Sequence, residues 1–145
     1  MSKTHQEAFT VMIDHLLDMT RPSSEGNGAC KYRSNDGNKC PVGALIEDQY
    51  YNSTFENASP TQRGTDRSKL LLEALNLSGY PTDSLASYIY CAVQAIHDDN
   101  IHWNLAEARL TSKAMLKIGN LAQLCKFTLS DKYYAKMQEI NNDSV

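Results

Sequence analysis

The sequence predicts a mainly α-helical fold: a single helical domain, residues 1–145, with about six helices and one small β-hairpin. Three observations carry this expectation. Apolar residues recur at helical spacing along most of the chain. Strand-like alternation is confined to Cys30-Lys31-Tyr32-Arg33, just ahead of an Asn35-Asp36-Gly37-Asn38 turn signal. The chain also lacks an internal repeat, a heptad array and a low-complexity run, so one domain is the economical reading.

The elements follow in order. Thr4 and Glu7 have capping-box spacing, and Phe9, Met12, Ile13 and Leu16 then fall on one helical face. Pro22 and the run Ser23 to Gly28 end that helix in a flexible loop. The hairpin runs from Cys30 to Cys40. Pro41 then stands where the first turn of a helix accepts proline, with Val42, Leu45 and Ile46 as a short buried face. Residues 52–66 are polar and read as a long loop. Ser68 to Leu77 is expected as a helix with Leu71, Leu72 and Leu75 inside, broken by Gly79-Tyr80-Pro81. Thr82 or Asp83 caps the next helix, whose stripe is Leu85, Tyr88, Ile89, Ala92, Val93 and Ile96. Trp103 to Cys125 reads as helical again, in one or two pieces. A last helix starts at Ser130 or Asp131 and buries Tyr133, Met137 and Ile140. Residues 141–145 are expected to fray.

Composition limits function. The net charge of −3 and the absence of a basic stripe disfavour a sequence-independent grip on nucleic acid. No sequence-specific reading of nucleic acid is evident either. The start of the chain carries no apolar run of signal-peptide length, and no later stretch is apolar enough for a membrane span. A cytoplasmic setting without a membrane partner is therefore expected, with Cys30, Cys40, Cys91 and Cys125 reduced. No cofactor is expected.

The stretch Cys30-Lys31-Tyr32-Arg33-Ser34-Asn35-Asp36-Gly37-Asn38-Lys39-Cys40-Pro41-Val42-Gly43-Ala44-Leu45-Ile46-Glu47-Asp48 resembles a pattern in small tailed-phage and prophage proteins of uncharacterised function. Gln94-Ala95-Ile96-His97-Asp98 and Trp103 resemble a later segment of the same group. The resemblance implies a phage origin, the host cell's cytoplasm as location, and a role in host takeover by binding.

Four constellations bear on chemistry. Cys40 precedes an expected helix start, which would favour a thiolate, with His97 as base and Asp98 or Asp99 as orienter of a hydrolase or transferase. The plainer reading packs Cys30 and Cys40 as small apolar residues. Cys30, Cys40, His97 and His102 form a zinc set only if the hairpin meets the end of the middle helix, and structural zinc normally uses closer pairs. Arg33 and Lys39, with Tyr32 for stacking and His97 nearby, would form a site for a nucleotide-like signal. The plainer reading leaves those charges in solvent. His97 and Asp98 equally suit a helix C-terminus. Finally, eight tyrosines and Trp103 invite an interface, because Tyr50–Tyr51 and Tyr133–Tyr134 cannot both face one core. The sequence thus favours a binding protein over an enzyme. Its partner would be a host defence or gene-expression protein, and self-association is a further option. A nucleotide sponge stands second and a Cys40 enzyme third.

Overall fold

The protein is described by a computed structural model covering residues 2–25 and 30–143. Gly26 to Gly28 of the expected flexible loop, and Ser144 and Val145 of the expected tail, lie outside the described residues. The fold is mainly helical with one two-stranded antiparallel hairpin.

Helix α1 spans His5–Asp18. Its capping box closes as expected: Thr4 Oγ1 accepts from Glu7 N at 3.0 Å, and Glu7 Oε1 accepts from Thr4 N at 3.1 Å. Ala8, Phe9, Met12, Ile13, Leu16 and Leu17 make the buried face. Helix α2 spans Asp66–Leu77, with Thr65 as N-cap. It ends at Gly79, whose φ of +93° is a left-handed conformation that glycine adopts without steric cost. Helix α3 spans Ser84–Asp98, capped by Asp83, and buries Ile89, Tyr90, Val93 and Ile96. Strands β1 (Trp103–Asn104) and β2 (Arg109–Leu110) pair Trp103 with Leu110 and Asn104 with Arg109. Helix α4 spans Ser112–Cys125 and α5 spans Asp131–Asp143. Helix α1 packs on α3, α5 and the turn at Gly43–Leu45, and α4 packs on α3 and α5. The buried side chains form one contiguous apolar cluster. Among the described residues no helix is long and apolar enough to cross a membrane.

The ladder is not where the sequence places it. Between Cys30 and Cys40 there is one bridge, Arg33 to Lys39, and no strand. Ser34 N donates to the Asn38 carbonyl at 2.9 Å and Cys40 N to the Tyr32 carbonyl at 3.2 Å, so the pairing stops at that bridge. The turn beyond it is capped by side chains, with Asp36 Oδ1 accepting from Asn38 N at 3.1 Å and from the Ser34 hydroxyl. The expected helix after Pro41 is also absent. Two short 3₁₀ turns, Gly43–Leu45 and Asp48–Tyr50, take its place. Ile46 leaves helical space, and its carbonyl accepts from the Arg33 guanidinium at 2.6 Å.

The hairpin forms instead at 103–110, inside the stretch expected to be helical. Its turn places Ala108 at φ +54°, which no glycine or Asn-Gly signal announces. Residues 52–65 are irregular apart from the 3₁₀ turn Ser53–Phe55, and this loop contributes side chains to the core. Phe55 is buried against Tyr32 and Tyr51, and Ala58 and Glu56 are buried with it.

Candidate functional site

His97, Asp98 and Cys30 meet, but not as a catalytic triad or a metal site. His97 closes α3 and is fully buried. Its Nε2 accepts from Ser23 N at 2.9 Å. A backbone N–H can only donate, so the ring hydrogen sits on Nδ1, which donates to Asp98 Oδ1 at 2.8 Å. Gln94 Nε2 donates to the same oxygen at 2.8 Å, and the Cys30 thiol donates to the Asp98 carboxylate. Trp103 completes the clasp: its indole N–H donates to the His97 carbonyl at 2.8 Å and its ring meets the imidazole edge-on.

This arrangement determines the chemistry. The lone pair of a general base is the one Ser23 already occupies. The carboxylate lies beside the thiol it would have to see activated, and its charge opposes a thiolate. Burial and the Asp98 charge push the Cys30 thiol up to about 11. Burial works against ionisation of Asp98 too, but the hydrogen bonds from His97 and Gln94 outweigh it and lower its pKa. Cys40, the nucleophile of the enzyme alternative, is fully buried, and that burial raises its pKa strongly. The helix that was to activate it does not form. Its Sγ accepts from Gly43 N at 3.3 Å and packs in the core. Alkylation of Cys30 is expected to be slow at pH 8 and to accelerate toward pH 11, followed by mass spectrometry in a Cys91→Ser, Cys125→Ser background. A fast phase below pH 8 would contradict this electrostatic reading.

Cys30, His97 and Asp98 carry ligand-type atoms within 4.8 Å of one another. They are not the Cys30, Cys40, His97 and His102 set considered from the sequence. Cys40 and His102 are not among them, and metallation at His97 Nδ1 would require the ring hydrogen at Nε2, facing the Ser23 N–H. His102 belongs elsewhere: its Nδ1 donates to the Ile96 carbonyl at 2.8 Å.

The residues expected to clamp an anion serve the fold. Arg33 binds Asp48 at 2.9 Å and the Ile46 carbonyl, and its guanidinium lies 4.6 Å from the centre of the Tyr51 ring. Lys39 reaches the same Asp48 carboxylate at 3.6 Å. Tyr32 is buried, with its hydroxyl donating to the Ala58 carbonyl and its backbone N–H donating to Glu56 at 2.9 Å. The structure therefore does not assemble Tyr32, Arg33, Lys39 and His97 around a common ligand. A cleft of about 270 Å³ does lie beside the clasp, and Tyr32 lines it together with Cys30, Ala58, Cys91, Gln94 and Asp98, but Arg33, Lys39 and His97 do not. Its charge is the Asp98 carboxylate, which opposes a phosphate.

A larger concavity lies on the adjacent flank of α3, beyond Ala95, which lines both. A groove of about 500 Å³ runs between α3 and α4. Tyr88 and Ala92 form one wall, Leu121 and Leu124 the other, and Ile101 closes an end. Tyr88 is 50 %, Ile101 51 % and Leu124 68 % exposed, which is high for apolar side chains gathered in one place. Lys113 and Lys117 stand on the α4 rim. The available signal was the outer face of that helix. Met115, Ile118 and Ala122 turn inward, so Leu116 and Leu124 emerge beside the lysines. The tyrosine argument resolves in part: Tyr133 is buried, while Tyr134 is 59 % exposed.

No protein-family model, curated protein or solved structure matches this chain.

Proposed function

We propose that this is a binding protein that occupies a partner polypeptide through its α3–α4 face, with no catalytic step of its own. The observation that carries this reading is the exposed apolar groove bordered by Tyr88, Ile101 and Leu124. Aromatic and aliphatic groups gathered in a concavity are the common anchor points of protein interfaces. The placement of the other candidate groups supports it. His97 is locked by Ser23, Cys40 is in the core, and Arg33 and Lys39 share Asp48. The motif resemblance to small phage proteins supports a host protein, of defence or gene expression, as the partner that is inhibited or redirected. A nucleotide-sequestering role gains no support from Tyr32, Arg33 and Lys39 as they are placed.

A photo-reactive residue at position 124 should give one stoichiometric cross-linked adduct in host-cell lysate. The same group at Val11, exposed on α1, should not. Equal labelling from both positions, or none from 124, would remove the reading.

A further inference from the structure

The groove has a charge pattern that specifies more than apolarity. Lys113 and Lys117 lie one helical turn apart on its rim, about 6 Å along the axis of α4. Among the described residues neither is joined to a carboxylate, so both ammonium groups on this rim are left to solvent. Asp99 is the acid that lines the groove, and it stands at the α3 end with its Oδ1 accepting from Ile101 N at 3.1 Å. His102 also lines the groove; it is 4 % exposed, and its Nε2 has no hydrogen-bond partner among the described residues. That nitrogen is itself shielded from solvent, so the imidazole forms part of the wall under the groove.

A symmetric dimer that sets α4 of one copy against α4 of the other would bring the two pairs of lysines together, which like-charge repulsion opposes. An apolar trough between two helices, with cations one turn apart on one rim, is instead complementary to an amphipathic helix. Such a helix would lay its apolar stripe in the trough and set carboxylates one turn apart against the lysines. We infer that the groove between α3 and α4 receives an acidic amphipathic helix of the partner protein. Tyr88, Ile101 and Leu124 would hold its apolar face, and Lys113 and Lys117 would pair with acidic residues three or four positions apart. This inference rests on the binding reading above and names the partner's chemistry.

The test uses the full chain and two synthetic helical peptides followed by fluorescence anisotropy. Both carry the same leucine stripe. One has glutamates one turn apart at the stripe's edge, and the other has lysines there. The glutamate peptide should bind more tightly, and added salt should weaken it. K113E/K117E should weaken the glutamate peptide by about tenfold or more and tighten the lysine peptide. Leu124→Ser should weaken both. All these positions are exposed, and unchanged melting curves will show that the variants fold. Equal binding of both peptides, no binding of either, or binding indifferent to the charge reversal would overturn the inference. So would a groove that takes up dodecanoate while rejecting the glutamate peptide, since that marks an amphiphile site. The two readings separate cleanly. If position 124 still cross-links a host protein in K113E/K117E with undiminished yield, the binding face stands and the acidic helix falls. If position 124 cross-links nothing, the binding reading itself fails.

Discussion

Gly43→Ala is expected to lower folding stability by about 3 kcal/mol, at the upper end of what overpacking a core position costs. A Cβ at position 43 would stand 2.0 Å from the Tyr32 carbonyl oxygen and 2.8 Å from its carbon. Both are backbone atoms, so no rotamer change relieves the collision. The Tyr32 carbonyl also accepts from Cys40 N at 3.2 Å, and displacing it would loosen the whole 30–40 loop. Urea unfolding followed by circular dichroism measures the effect. Gly37→Ala is the control: Gly37 has φ +87° but open space around it, so alanine there meets only the left-handed backbone cost of about 1–2 kcal/mol. Equal losses at the two positions would show that backbone conformation, and not the approach of Gly43 to Tyr32, sets the cost.

Phe55→Ala is expected to cost about 3–5 kcal/mol, the range for emptying a buried aromatic site. Phe55 is 1 % exposed and meets the rings of Tyr32 and Tyr51 edge-on, at centroid distances of 6.4 and 5.4 Å. The segment around it packs against α2, so the loss would reach beyond the turn. Thr54→Ala, at the exposed neighbour, should stay within about 0.5 kcal/mol. Thermal melts of the two variants give the comparison. A small effect of Phe55→Ala would show that the 52–65 loop contributes little to the core. Domains of this size are stable by only about 5–15 kcal/mol, so either large substitution would measurably raise the unfolded fraction.

These two residues explain what the Cys30–Asp48 motif does. Gly43 lets the chain touch Tyr32. Arg33 and Lys39 converge on Asp48, Cys40 fills the core, and Leu45 and Ile46 close it. The second motif behaves alike, because Gln94, His97, Asp98 and Trp103 are bonded to one another. The residues most noticeable in the sequence therefore hold the fold together. The groove proposed to bind a partner is built from ordinary residues with no motif of their own.

The helices were legible because their causes are local. Thr4 and Glu7 cap α1 within four residues, Asp83 caps α3, and each apolar stripe repeats along its own segment. Those signals determined that the protein is mainly helical and where α1, α2, α3 and α5 lie, to within a few residues. The remaining elements depend on distant partners. Arg33 ends the turn at Ile46 across thirteen positions, and Glu56 anchors Tyr32 across twenty-four. The strand pair at 103–110 needs Ala108 in a left-handed conformation that its residue type does not favour. The same division governs the site. The sequence determined that His97 ends a helix. Only the tertiary structure placed the Ser23 N–H on its Nε2, and a single backbone donor there decides between a base and a clasp. The pairing of α3 with α4 likewise decided which apolar residues stay outside the core and form the groove.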